Sequence, residues 1–236
     1  MRERLRRSVW AQGVVVALVA LAVYVPFLGA RPLDNSEGHR AVPGWTMLRT
    51  GEWWRQEMFG LTYLRKPPGM AWAIGASSAV LGENEWGARA PSALAAVLAS
   101  LVAVVFVTRW VGRPWGMAAG LAQALMPLMW SAGRTAEIEM VDVVGGQLLA
   151  FGVIDVLREW WGGGAGRRQG GRGAGGQGGG EQTNSGGGML GVGAIAVGLV
   201  VSGLAKGPAN VPVLVGAVVG AGVVARSWRG VGVWGG

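Results

Sequence analysis

Two acids stand three residues apart at Asp34 and Glu37, followed at once by His39 and Arg40, in a stretch from Pro32 to Pro68 that separates two apolar segments. If the chain turns helical after Pro32, that spacing puts both carboxylates on one face. One carboxylate can then take a proton from an attacking hydroxyl while the other orients a neighbour. The same residues also fit a plainer part, in which Asp34-Asn35-Ser36 caps a short surface helix with Glu37 in its first turn. His39 is the only histidine; beside two acids it reads as a hydrogen-bonding partner sooner than as a proton carrier. At the far end of the stretch, Lys66-Pro67-Pro68 carries a cation on a backbone stiffened by two prolines. The bland reading is a lysine snorkelling to lipid phosphates. Lys206-Gly207-Pro208 sets a second cation between two apolar runs, where a lone charge is usually kept for binding. Glu139 and Asp142 share another helical face close to Arg134, and fit an ion pair with Arg134 as well as they fit contact with a ligand.

The elements that must position these groups are read from composition. About half of the residues are apolar (51%) and only 14% are charged, and the apolar residues gather into runs near the length a bilayer of about 30 Å requires. This is an all-α polytopic membrane protein by expectation. Candidate spans run from about Val9 to Leu28, Ser92 to Trp110, Gly116 to Ser131 with a kink at Pro127, Ala136 to Leu157, Met189 to Ala205, and Asn210 to Ala225. The first is longer than a signal-peptide core and is read as an uncleaved span. Gly69 to Leu81 covers only about 20 Å as a helix, too little to cross, and is read as lying along the membrane surface. There is no cysteine, which excludes a disulfide framework and a thiolate metal site; no metal is expected.

Charge fixes the expected orientation. With Gly69 to Leu81 on the surface, Arg2, Arg4, Arg6, Arg7, Arg109, Arg113, Arg158, Arg167, Arg168, Arg172, Arg226 and Arg229 all face the cytoplasm, about 12 of the 21 basic residues. If that segment crosses, the share falls to about 7. The expectation is therefore a cytoplasmic (inner) membrane protein with its N-terminus inside and the loop of residues 31–68, Arg134 and Lys206 outside. The net charge of +8 points to orientation and to lipid headgroups. Residues 161–188, nearly all glycine, read as a disordered cytoplasmic loop. Glycine spacings there lack the Gly-Lys-Ser/Thr ending of a phosphate loop, and no nucleic-acid partner is expected.

Six separate blocks then resemble one family. They are Asp34-x-x-Glu37-x-His39-Arg40-Ala41, Met47-Leu48-x-x-Gly51-Glu52-Trp53, Tyr63-Leu64-x-Lys66-Pro67-Pro68, Gly82-x-x-Glu85-x-x-Ala88-Arg89-x-Pro91-Ser92-Ala93-Leu94-Ala95, Gly133-Arg134-x-Ala136-x-x-Glu139, and Gly203-Leu204-x-Lys206-Gly207-Pro208. In order and spacing they resemble the family 39 glycosyltransferases, membrane enzymes of the GT-C fold that include the protein O-mannosyltransferases and the aminoarabinose transferase of lipid A. The resemblance implies a polyprenyl-phosphate sugar as donor, an acceptor hydroxyl, inversion at the anomeric carbon and an extracytoplasmic site. It places Asp34 and Glu37 on the catalytic acidic motif, Lys66 and Lys206 on phosphate-contacting positions, and Glu139 on a later acid. His39, Arg40 and Arg134 join them as substrate-binding candidates. Two departures matter: relatives often have adjacent Asp-Glu where this chain has Ser36-Glu37, and often arginine where it has His39. Because relatives usually run longer, residues 1–236 are read as the N-terminal transmembrane portion of such an enzyme, with a C-terminal half or partner subunit to complete it.

Two other classes fit parts of the chain. One is a catalytically silent protein of the same fold acting as a binding or assembly subunit; the missing Asp-Glu doublet favours it. The other is a small transporter using Glu139 and Asp142, but no inverted repeat or pair of broken helices is visible. The sugar and the acceptor are not encoded in any residue pattern.

Overall fold

The computed structural model describes residues 2–169, 186–207 and 216. Their elements in order are α1 (Arg2–Tyr24), α2 (Asn35–Thr50), β1 (Glu57–Met58), β2 (Leu61–Thr62), α3 (Gly69–Leu81), α4 (Glu85–Trp110), α5 (Arg113–Ala124), α6 (Pro127–Ala132), α7 (Glu139–Gln169) and α8 (Gly186–Lys206). Most of the glycine tract, residues 170–185, and nearly all of the candidate span Asn210 to Ala225 lie outside the described residues. Among the described residues, Glu85–Trp110 and Glu139–Arg158 are long and apolar enough to cross a bilayer. Val9–Tyr24, Gly69–Leu81 and Leu190–Lys206 are shorter apolar helices.

α4 is the hub: α1, α3, α5 and α7 all pack on it. Its start is fixed by Asn84, whose side chain accepts from the Gly87 N–H at 3.0 Å, the Ncap arrangement that satisfies an orphan donor. Ala88, Ser92, Ala96, Ala99 and Ala103 recur at helical spacing on its buried side. Small side chains at that spacing let neighbouring helices approach closely. The main core joins Ala93, Ala96 and Ala99 of α4 to Ala20, Tyr24 and Leu28 of α1 and its C-terminal turn, Ala124 of α5, Met129 of α6 and Met140 of α7. A second cluster, Ala41, Met70, Ile74, Ala88, Ala136 and Ile138, ties α2 and α3 to the start of α7.

Glycine decides how α7 meets α8, the most extensive helix pair. A Cβ added to Gly152 would lie 2.7 Å from the Gly191 carbonyl oxygen, and one added to Gly198 2.7 Å from that of Gly145. Both pairs are separated by seven residues on each helix, so the close backbone contact recurs after two helical turns. On α5, a Cβ at Gly116 would collide with Thr108 and one at Gly120 with Val104, as their four-residue spacing leads one to expect.

The structure departs from the sequence reading at three places. The span expected from Gly116 to Ser131 is not one kinked helix but two, α5 and α6, separated at Leu125 and Met126. Pro127 has no N–H to continue α5 and forces Met126 into an extended conformation, φ −66°, ψ 127°; it then serves as the first residue of α6. The helix expected from Ala136 begins at Glu139; before it the Glu137 N–H turns back to the Thr135 carbonyl at 2.8 Å, and the Ala136 N–H is held by a side chain described below. The loop of residues 31–68 holds the expected juxtamembrane helix as α2, but it also forms a two-stranded hairpin that an all-α reading lacked, turning at Phe59 and Gly60, both at positive φ (54° and 79°), as a tight hairpin turn demands.

Candidate functional site

Asp34 and Glu37 begin α2 together but face different surroundings. Asp34 is the Ncap: its Oδ1 accepts from the Ser36 N–H (3.0 Å), the Ser36 hydroxyl (2.8 Å) and the Glu37 N–H (3.0 Å). Glu37 closes the box by accepting from the Asp34 N–H at 3.0 Å, which satisfies two orphan donors reciprocally. Asp34 is exposed, and among the described residues no hydrogen bond reaches its Oδ2. The Glu37 N–H and then the Ser36 hydroxyl hold its carboxyl below the usual aspartate range.

Glu37 is fully buried, with Arg89 of α4 against it, 1% exposed. The guanidinium donates from Nε to Oε1 and from Nη2 to Oε2, each at 2.7 Å. Its remaining N–H groups go to the carbonyls of Leu28 (2.7 Å), Arg31 (2.9 Å) and Pro32 (3.0 Å). Glu37 Oε1 also accepts from the Ala136 N–H at 2.8 Å. All five donors of the arginine and all four acceptor positions of the carboxylate are therefore in use. Burial pushes the Glu37 carboxyl up, but Arg89 and the N–H groups of Ala136 and Asp34 outweigh it and hold it below the usual range. This pair rivets the end of α1, the start of α2 and the segment before α7 to one point on α4.

One turn beyond Glu37, Arg40 points Nε at Glu137 Oε2 (3.5 Å) and donates from Nη1 to the Tyr63 hydroxyl (3.3 Å). Three residues after Tyr63 comes Lys66, whose side chain is exposed and whose carbonyl accepts from Gln56 Nε2 at 2.7 Å. The segment that bears it meets the end of α8. A Cβ on Gly69 would lie 2.5 Å from the Leu204 carbonyl oxygen, and one on Gly207 3.8 Å from Pro67 Cγ. Chain segments about 140 residues apart thus bring Lys66-Pro67-Pro68 and Lys206-Gly207 side by side. Lys206 Nζ lies 3.2 Å from Asp142 Oδ2 and 4.0 Å from Glu139 Oε1, and the Ser202 hydroxyl donates to Asp142 at 2.9 Å. From Asp142 an open groove of about 640 Å³, lined by Met126, Met129, Val143, Gly146 and Phe151, runs between the α5–α6 break and α7.

The structure therefore joins Asp34, Glu37, Arg40, Lys66, Glu139 and Lys206 into one arc, through α2, the segment before α3 and the facing ends of α7 and α8. Of the two readings left open for Glu139 and Asp142, the ion pair with Arg134 does not form. Arg134 donates to the carbonyls of Val23 (3.1 Å) and Tyr24 (3.4 Å) and lies over the Trp130 ring at 5.3 Å, so it closes the end of α1 while Lys206 takes the acids. His39 is exposed on α2. Sequence reasoning missed Arg89 and Glu137. Arg89 stood in the Ala88-Arg89-x-Pro91 block, and an arginine in an alanine-rich helix was the available signal, since such a charge must find a partner. No group of three or more potential metal ligands from His, Cys, Asp and Glu occurs among the described residues.

Comparison with known proteins bears on the fold. Residues 65–159 match the family described as dolichyl-phosphate-mannose-protein mannosyltransferase. An undecaprenyl phosphate-alpha-4-amino-4-deoxy-L-arabinose arabinosyl transferase of Pseudomonas savastanoi pv. phaseolicola is 38% identical over 109 residues, 46% of this chain and 20% of that protein. Its counterpart in Pseudomonas paraeruginosa is 28% identical over 137 residues, 57% of this chain and 24% of that one. The crystal structure of ArnT from Cupriavidus metallidurans bound to undecaprenyl phosphate superposes with a TM-score of 0.71 at 23% identity, over 91% of this chain and 36% of ArnT. The apo form of ArnT gives the same score. The chain has the GT-C fold of ArnT and is a multi-pass membrane protein, as its sequence led one to expect. It spans about a third of the length of that solved relative.

Proposed function

We propose that this chain forms the donor-binding part of a membrane glycosyltransferase that moves a sugar from a polyprenyl phosphate to an extracytoplasmic hydroxyl with inversion. The relatives named above act on or bind undecaprenyl- or dolichyl-phosphate compounds, and a lipid phosphate leaving group needs fixed cations nearby. Lys66 and Lys206 supply them at the meeting point of α3 and α8, where charge develops on the departing phosphate. The acceptor oxygen attacks the anomeric carbon from the face opposite the phosphate, the bond from that carbon to the phosphate oxygen breaks, and the phosphate keeps the electron pair. The hydroxyl proton goes to Asp34 Oδ2. Arg40, held between Glu137 and Tyr63, and Glu139 line the sugar side.

The observation that carries this reading is the division of the acidic pair: Glu37 has no acceptor capacity left, whereas Asp34 keeps an exposed oxygen. Asp34→Asn tests it. Asparagine caps a helix as well as aspartate does, so the fold stays, and turnover should fall by about 10²- to 10⁴-fold with donor binding retained. Turnover is read with the additional length that the relatives carry supplied in the same membranes. Full turnover in Asp34→Asn would sink the base assignment. A second reading, a silent binding or assembly subunit, draws support from Asp142, which already engages Lys206; unchanged turnover in both Asp34→Asn and Lys66→Ala would favour it. In our reading the chain sits in the inner membrane with its N-terminus in the cytoplasm and the arc outside, the side on which the basic residues are fewest.

A further inference from the structure

The hairpin between α2 and α3 is closed at a polar base and apolar at its tip. At the base, the buried Gln56 donates from Nε2 to the Lys66 carbonyl and its own carbonyl accepts from the Tyr63 N–H at 2.8 Å. At and around the tip, Phe59 (83% exposed), Leu61 (75%) and Leu64 (81%) point away from the protein, and Trp54 (86%) is exposed beside them with its ring edge-on to Trp72 at 5.8 Å between centroids. Scattered exposed apolar residues need no explanation, but four large ones so close together in a single loop do. Phe59 adds a second oddity. It sits at φ 54°, a conformation that costs a side-chain-bearing residue energy and that turns normally assign to glycine or asparagine. Among the described residues the other non-glycine at positive φ is also a phenylalanine, Phe27 at 58°, and it too is 80% exposed. Both lie in the connection between α1 and α3, hence on one side of the membrane. Among the described residues, packing offsets the strain at neither ring.

We propose that the hairpin of residues 57–62 is an interfacial membrane anchor, with Phe59 and Leu61 immersed at the headgroup–acyl boundary of anionic lipid. Aromatic and leucine side chains at that depth are stabilised as they are in interfacial helices. Charge selects lipid over a protein surface. From Trp54 to Lys66 there are three basic residues, Arg55, Arg65 and Lys66, against one acid, Glu57, and Arg65 and Lys66 are exposed. Cations flanking an apolar tip suit anionic headgroups, which lie at the depth where this loop re-enters the helical bundle. The anchor is independent of the transfer reaction proposed above, although it holds the segment that bears Lys66.

The chain has no cysteine, so Leu61→Cys accepts a single nitroxide with Phe59 intact. In vesicles of equal parts phosphatidylethanolamine and phosphatidylglycerol, the label should collide with oxygen several-fold more often than with a water-soluble nickel chelate. A label on Glu52→Cys, before the hairpin, should show the reverse. Phe59→Gly relieves the backbone yet removes the ring, and Phe59→Asp charges the tip; both should move the Leu61 label toward water, as should replacing the anionic lipid by phosphatidylcholine. A Leu61 label as open to nickel as that at Glu52 overturns the anchor. A label shielded from both reagents overturns it too, because the tip is then covered by protein.

Discussion

Replacing Glu37 by glutamine leaves the Arg89 guanidinium buried with three carbonyls and no carboxylate in contact. Both hydrogen bonds between the two side chains are charge-assisted and 2.7 Å long, and each residue is at most 1% exposed, so screening by water does not soften their removal. Deleting one partner of such a pair costs about 3–5 kcal/mol. A chain of this size shifts its melting temperature by about 2–4 °C per kcal/mol, so the expected fall is roughly 6–20 °C. The amide oxygen can still accept from the Ala136 N–H, which places the result toward the lower half of that range. The assay is near-ultraviolet circular dichroism against temperature in nanodiscs, with turnover measured below the melting point in the same preparation. Double replacement, Glu37→Leu with Arg89→Met, removes the unpaired charge but leaves the carbonyls of Leu28, Arg31 and Pro32 and the N–H groups of Asp34 and Ala136 without their partners, so it should not restore the parent stability. If Glu37→Gln melts like the parent chain and turnover falls about 10²- to 10⁴-fold instead, the reasoning fails and Glu37, not Asp34, is the base.

The other predictions concern separate parts of the molecule. Asp34 has its carboxyl held low by the Glu37 N–H and the Ser36 hydroxyl; a lowered folded value means that the cap's stabilisation is complete above the ordinary range near pH 4 and is lost only as pH falls through the folded value. Melting and turnover should therefore stay flat on this account from neutral pH down to about 4, and a break near pH 6 would refute it. Asp142→Asn frees Lys206 from a partly exposed pair worth about 0–1 kcal/mol, so affinity for undecaprenyl phosphate, read by titration calorimetry, should stay level or rise up to about fivefold, whereas Lys206→Ala should lower it. Gly198→Val drives a side chain against the Gly145 carbonyl and should cost at least about 1–3 kcal/mol of stability in the same melting assay. For topology, Ser36→Cys and Thr135→Cys should react in intact cells with an impermeant thiol reagent and Ser185→Cys should not; labelling of the last would reverse the proposed orientation.

By itself the sequence determined the class of the protein, because apolar runs of membrane length and glycine at helix-contact spacing are local or summed properties. It determined the start of α2 as well: Asp34-x-x-Glu37 is a capping box whose geometry follows from the spacing alone. Among the candidates, Lys206 stood out as a charge between two apolar runs, whereas Asp34 came from its spacing to Glu37 and Lys66 from its place before two prolines. What only the tertiary structure decided is which of two equivalent carboxylates is free. That depends on Arg89, 52 residues away, and on the Ala136 N–H, 99 residues away, and neither distance leaves a trace in local pattern. The partner of Lys206 was likewise undecidable: Arg134 is nearer to Glu139 and Asp142 in sequence, but the packing of α8 on α7 brings Lys206 to them and sends Arg134 to the carbonyls ending α1. Charges pair with whatever the helix packing sets within reach, and that packing is fixed by glycine and alanine contacts spread over the whole chain.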